Sequence, residues 1–344
     1  MKRISWIIGL LFLLSFSSLA QQDSVRAVGQ RTLLLEDKSR DRPLDTEVWY
    51  PTREVYQETE EGEYTPFIYA QTVRNGAVAA GKYPLVLLSH GFGGNRLTLE
   101  WLASGLARKG FVVAAVDHWG NTFDNLLAEE SIKFLDRPRD ISFVLTELLK
   151  DTTFGQVIDE SCIGVAGFSL GGFTAIALAG GEFDYQQFMA EVNKGNQKAL
   201  EVPELPTLYD LMSSDQAKAY FKATSPQVKD ERIRAVFAMA PGLGQGFAGK
   251  KQLQKVEVPV FLVGAEADDV TPNAANALHY HRLIPEAQFE LLRGKVGHYV
   301  FLNEAKEPIR EHLPMFYKDD ASVNRKAVHE KVTNLAAEFF SHKL

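Results

Sequence analysis

The chain has 344 residues, 45 % of them apolar and 24 % charged, enough apolar content for a sizeable core and too much for a disordered chain. With 37 basic against 44 acidic residues the formal net charge is −7, which argues against a nucleic-acid partner, since such proteins carry a basic face. A single cysteine, Cys162, excludes a disulfide framework and a cysteine-based zinc site.

The N-terminus reads as a targeting segment. Lys2 and Arg3 precede a short apolar run over residues 7–16, and Ser18-Leu19-Ala20 has the small-x-small pattern of a cleavage site. This is the pattern of a secretory signal peptide. The run is shorter than the ~20 residues a membrane span needs, and no cysteine follows the cleavage site to carry a lipid. The expectation is a periplasmic or secreted protein with no stable membrane anchor. Its mature form spans residues 21–344, with 35 basic and 44 acidic residues and a net charge of −9.

Residues 30–50 hold two strand-like pieces around the polar turn 38–42. Residues 55–81 open with the acidic cluster Glu58, Glu60, Glu61 and Glu63 and show no period, which suggests a solvated loop. Beyond them continuous apolar runs alternate with helical spacing. Strands are expected at 84–88, 111–116, 163–166, 235–239, 260–263 and, more weakly, 289–292. Helices are expected at 97–109, 141–149 and 327–340. Such alternation predicts an α/β fold with a mostly parallel, doubly wound sheet, whose ligands sit outside the carboxyl ends of the strands. Residues 182–230 break the alternation. Tyr185, Phe188, Met189 and Val192 fall on one helical face, and Ser213 with Gln216 has the spacing of a capping box. This stretch is expected to be an inserted helical cap on a single catalytic domain spanning 21–344.

The residues that follow each strand carry the chemistry. After the third strand stands Gly167-Phe168-Ser169-Leu170-Gly171-Gly172, the G-x-S-x-G nucleophile elbow. A sharp strand-to-helix turn strains the serine and leaves no room for side chains two positions either side. Ser169 is then exposed above the sheet edge, beside the N–H groups of a helix N-terminus.

A serine hydroxyl needs a base. Of the eight histidines, His298 follows the sixth strand in a loop. His329 and His342 belong to the closing helix and are expected at the surface, His312 lies in a polar stretch, and His279 and His281 fall in a helical stretch where both cannot face one site. The acid, which holds the imidazole tautomer, should follow the fifth strand. Asp268, Asp269 and Glu266 compete there, with Asp268, four residues before Pro272, favoured. The oxyanion hole is expected from the N–H of Leu170 and one N–H in Ser89-His90-Gly91-Phe92-Gly93-Gly94, that of Phe92. His90 is expected to brace this loop. The loop lacks the G-K-[ST] ending of a phosphate-binding loop. His118 and Trp119, after the second strand, are expected to line a substrate pocket. Cys162 has no elbow around it and reads as a small buried hydrophobe.

Together these residues resemble the α/β-hydrolase superfamily. More narrowly, the chain resembles bacterial dienelactone-hydrolase-related proteins grouped with platelet-activating-factor acetylhydrolase. The resemblance is carried by Arg40-Asp41-Arg42-Pro43-Leu44, Val48-Trp49-Tyr50-Pro51, the 89–94 loop, Val116-Asp117-His118, Arg137-Pro138-Arg139-Asp140-Ile141, Gly167 to Gly172, Glu266-Ala267-Asp268, Gly297-His298 and the closing segment with Phe339-Phe340. It implies the α/β-hydrolase fold and cofactor-free, metal-free hydrolysis of carboxylic esters, small or lipid-like. Ser169 would be nucleophile, His298 base, Asp268 acid, and Phe92 and Leu170 oxyanion donors. Dienelactone hydrolases proper use a cysteine where this chain has Ser169, which favours acyl esters over lactones. A lipase, a phospholipase A2-like enzyme or a polyester hydrolase would use the same machinery with a different pocket; a binding protein on a hydrolase scaffold would not use it at all.

Overall fold

A computed structural model describes residues 27–56, 65–195 and 200–344. The proposed signal segment and the acidic cluster at Glu58 to Glu63 lie outside the described residues. Among the described residues nine strands form one sheet, in the order β11-β10-β9-β8-β6-β7-β4-β1-β5. These are β1 (Ala27–Leu33), β4 (Thr46–Thr52), β5 (Val73–Arg74), β6 (Tyr83–Ser89), β7 (Val112–Val116), β8 (Ile158–Phe168), β9 (Ala235–Met239), β10 (Val260–Ala265) and β11 (Gln288–Leu292). Two further short strands, β2 (Glu36–Asp37) and β3 (Arg42–Pro43), make a separate hairpin. From β7 to β11 every pairing is parallel, while β4 runs antiparallel to both β1 and β7. This is the mostly parallel, doubly wound sheet that the alternation predicts.

The central strands are apolar on both faces because both are covered. In β6, Leu85 and Leu87 face a core built with the Asp136–Lys150 and Leu170–Leu178 helices, whereas Val86 and Leu88 face one built with the Glu100–Arg108 and Arg325–Lys343 helices. One-residue alternation divides each strand between the two cores.

Among the described residues of 182–230 there is no strand; they hold the helices Tyr185–Asn193, Leu208–Ser213 and Asp215–Ala223. Phe188, Met189 and Val192 are buried and Tyr185 half-buried, on the face the spacing marks. The helix start differs from expectation by one residue. Ser213 ends one helix, and it is Ser214 whose hydroxyl accepts Ala217 N–H at 3.1 Å to cap the next.

Residues 65–81 are also more ordered than a solvated loop. Val73 and Arg74 add an edge strand parallel to β1, and Phe67 bridges to Ala305. Cys162 lies within β8 rather than before it, half-buried, with its thiol 2.9 Å from Leu344 O.

The chain leaves β6 toward β7 on one side and returns to β8 on the other. The loops after β6 and β8 therefore part at the carboxyl edge of the sheet, and that crevice is where doubly wound folds bind ligands.

Candidate active site

Ser169 stands where β8 ends and the Leu170–Leu178 helix begins, with φ 56° and ψ −118°. Such a backbone costs a non-glycine residue about 1–3 kcal/mol. Two bonds to the segment around the end of β9 hold it: Ser169 N–H donates to Met239 O at 2.9 Å, and Ser169 O accepts Gly242 N–H at 3.0 Å. The glycines are demanded by space. A Cβ on Gly167 would lie 2.1 Å from Gly171 O, and one on Gly171 would lie 1.9 Å from Ser89 O.

His298 opens a short turn, His298–Phe301, after β11. Its Nε2 is 3.0 Å from Ser169 Oγ, and its Nδ1 is 2.8 Å from Asp268 Oδ2. Both His298 and Asp268 are buried. Asp268 follows β10, and its second oxygen accepts Thr271 N–H at 2.7 Å and Val270 N–H at 3.0 Å. Burial alone would push this carboxyl up. The neighbouring His298, with the Thr271 amide and hydroxyl, outweighs it and holds Asp268 below the usual range. Asp269 and Glu266 are exposed, and Glu266 accepts Gly294 N–H instead. Sequence reasoning missed Thr271. Its hydroxyl lies 2.8 Å from Asp268 Oδ2 and 3.2 Å from His298 Nδ1, buttressing the pair. Nothing about a threonine before a proline signals that role.

Gly91 abuts the serine, since a Cβ on it would stand 3.4 Å from Ser169 Cβ. Phe92 and Leu170 line the same cavity as Ser169. Neither of their amides donates to an acceptor among the described residues. The cavity measures about 50 Å³ and is walled largely by apolar side chains, among them Phe134, Leu200, Val202, Leu208 and Leu243.

His118 and Trp119 do not line this cavity. His118 is wholly buried, with Nε2 2.9 Å from Ser89 Oγ and Nδ1 3.0 Å from Asp140 Oδ2, while Trp119 offers its carbonyl to Arg42 at 3.3 Å. Being next to a strand end placed His118 under the sheet edge, where the charges of Arg42 and Asp140 engage it. His90 does brace its loop, bonding to Gly91 O at 2.7 Å. His329 corrects another expectation. It is buried against Trp101 rather than exposed, while His342 and His312 are exposed. His279 Nε2 bonds to Phe247 O and His281 stacks on Phe289, both away from Ser169. Among the described residues no group of three or more His, Cys, Asp or Glu is placed to hold a metal ion, and no helix is long and apolar enough to cross a membrane.

A family model described as platelet-activating factor acetylhydrolase, isoform II, matches residues 28–124, from β1 through the 89–94 loop to just past His118. No curated protein matches the chain. Among solved structures, the ferulic acid esterase from Streptomyces cinnamoneus aligns with a TM-score of 0.58 at 20 % identity, over 93 % of this chain and 91 % of that one. Shared sheet and matched span agree on the fold, which is that of the α/β-hydrolases. The family model reaches only the N-terminal third of the chain.

Proposed function

We propose that this chain is an exported serine hydrolase of carboxylic esters that works through an acyl-enzyme. The observation that carries the reading is the hydrogen-bonded path from Asp268 through His298 to Ser169, ending beside two unengaged amides. Ser169 Oγ attacks the ester carbonyl while His298 Nε2 takes its proton. Asp268 holds Nδ1–H and stabilises the imidazolium. The carbonyl electron pair moves onto oxygen, which Phe92 and Leu170 N–H receive. As the tetrahedral intermediate collapses, His298 gives its proton to the leaving alcohol. Water then repeats the sequence on the acyl-enzyme, releasing the acid and restoring Ser169.

The small apolar cavity supports acyl groups of a few carbons. A long lipid chain would first have to displace the segment around Leu200 and Leu208, which ranks lipase and polyester substrates second. The helices between 182 and 230 are read as a cap, since Leu200, Val202 and Leu208 close the cavity over Ser169. The export reading rests on residues 1–20 alone.

The test is labelling with a fluorophosphonate and turnover of p-nitrophenyl acetate. Ser169→Ala should abolish labelling and lower turnover by several orders of magnitude. Turnover near the wild-type rate would overturn the assignment.

A further inference from the structure

A second array of serine, histidine and aspartate lies beneath the first. Ser89 Oγ, His118 and Asp140 repeat the hydrogen-bonded chain at 2.9 and 3.0 Å, but all three are fully buried, so no substrate reaches Ser89. Ser89 is the last residue of β6, and the oxyanion loop begins one residue on. Asp140 also receives both arms of Arg42, at 2.9 and 2.8 Å, and Arg40 at 2.9 Å. Its charge is answered from that side.

Arg137, one turn earlier on the same helix as Asp140, reaches the other end of this Ser89–His118 array and bonds to no carboxylate. Its Nη1 donates to Asn121 Oδ1 at 2.7 Å, and its Nη2 donates to His90 O and reaches Ser89 Oγ at 3.5 Å. Its Nε has no partner among the described residues. This is a fully buried guanidinium bonded only to neutral acceptors. Burial, opposed by the charge of Asp140, lowers its pKa to about 9, which leaves it cationic at neutral pH.

Above Arg137 the loop is fixed atom by atom. His90 Nε2 accepts His118 N–H at 3.2 Å, so the ring carries its proton on Nδ1 and donates it to Gly91 O at 2.7 Å. Gly91 C=O and Phe92 N–H are opposite ends of one planar peptide. Holding that carbonyl down aims the Phe92 N–H the other way. Gly171, the second residue of the elbow helix, packs so closely against Ser89 O and His90 O that a side chain has no room there, so the carbonyl that Arg137 grips also seats the elbow.

We propose that Arg137 is the positioning residue of the oxyanion hole. From beneath the loop its cation clamps the His90 carbonyl, so that the His90 ring stays in place to hold the Gly91–Phe92 peptide, and adds positive potential where the oxyanion forms. The inference rests on Ser169 being the nucleophile.

The test is a trifluoromethyl ketone. Ser169 Oγ adds to its carbonyl carbon, the serine proton passes to His298, and the carbonyl pair becomes an oxyanion whose ionisation is read by a fluorine NMR pH titration. In Arg137→Met the pKa of the hemiketal should rise by about one unit or more. kcat on p-nitrophenyl acetate should fall about 100-fold, as when an oxyanion donor is lost, with KM changed less than about threefold. Arg137→Lys keeps the charge without the fork and should recover part of both losses. Should Arg137→Met fail to fold, Asn121→Ala, which frees Nη1 alone, should shift the hemiketal pKa in the same direction by less. Folded Arg137→Met, or failing that Asn121→Ala, with a wild-type hemiketal pKa and kcat would overturn the clamp. Failure of the wild-type protein to form any adduct would instead overturn the nucleophile assignment, and the clamp with it.

Discussion

Trp101 and His329 lie face to face, their ring centroids 4.1 Å apart and their planes within 4°. Both donate behind the turn that carries His298: the Trp101 indole to Phe301 O at 2.9 Å, and His329 Nε2 to Val300 O at 2.8 Å. Two helices far apart in sequence thus grip consecutive carbonyls of one short turn. The turn that carries His298 is held from the rear by stacked rings while His298 itself faces Ser169.

This rear face predicts opposed pH dependences. Burial lowers the His329 pKa to about 4, the bond to Val300 O opposing it only in part. The unfolded state then binds the extra proton between about pH 4 and 6.5, and His329 costs stability as pH falls through that window. Buried Glu100, in the same groove, is pushed up to about 7 by desolvation, against its bond from Ala70 N–H. Here the folded state binds the proton, and stability is lost as pH rises from about 4.5 to 7. Relative to wild type, His329→Phe should gain up to ~3 kcal/mol on going from pH 7 to pH 4, and Glu100→Gln up to ~3 kcal/mol on going from pH 4 to pH 8. Urea unfolding across pH measures both, and parallel curves for wild type and variants would refute the assignment.

Asp268→Asn should keep its fold and lose about 10⁴ in kcat. An amide donating to Nδ1 forces the wrong tautomer and leaves Nε2 unable to accept the serine proton. Its cost should fall on kcat, read with p-nitrophenyl acetate, while Asp269→Asn at the exposed neighbouring position changes kcat less than about twofold.

Gly171→Ala should be among the most damaging single-methyl changes in the chain. The added carbon would stand 1.9 Å from Ser89 O and 2.7 Å from His90 O, both backbone. The elbow and the oxyanion loop must separate to admit it. A loss of roughly 3 kcal/mol or more is expected, or failure to fold, seen as a fall in thermal midpoint. A stable Gly171→Ala with full activity would contradict the packing described.

Leu208→Ala should open the acyl cavity. Each methylene newly accommodated is worth about 1–3 kcal/mol in a pocket of this kind. The ratio of kcat/KM for p-nitrophenyl hexanoate over acetate should rise about tenfold or more. An unchanged ratio would show that the acyl group lies elsewhere.

Much of the fold was legible because its cause is local. The first five apolar runs are buried on both faces and show it in their composition, the weaker sixth lies at the sheet edge and is only partly buried, and the elbow glycines announce a turn no other residue can make. Ser169, His298 and Asp268 follow strands whose order the alternation already implies. What stayed hidden depends on partners far away in the chain. His118 was misplaced because its neighbours Ser89 and Asp140 come from two other elements. His329 looked like a surface residue because nothing in its helix reveals Trp101 opposite it. Val73 and Arg74 are too short a strand to show a period, and they belong to the sheet only because β1 offers a free edge.

The pairing of β6 with β8 has a kinetic consequence. Ser89 and Gly167 stand opposite each other across that ladder, although 78 positions separate them and β7 with four helices must be laid down between. Ser169 and the 89–94 loop do not exist as neighbours until this long excursion closes, and closures of that span are slow relative to helix formation. Activity should therefore be among the last properties regained on dilution from denaturant, lagging the far-ultraviolet signal of the helices.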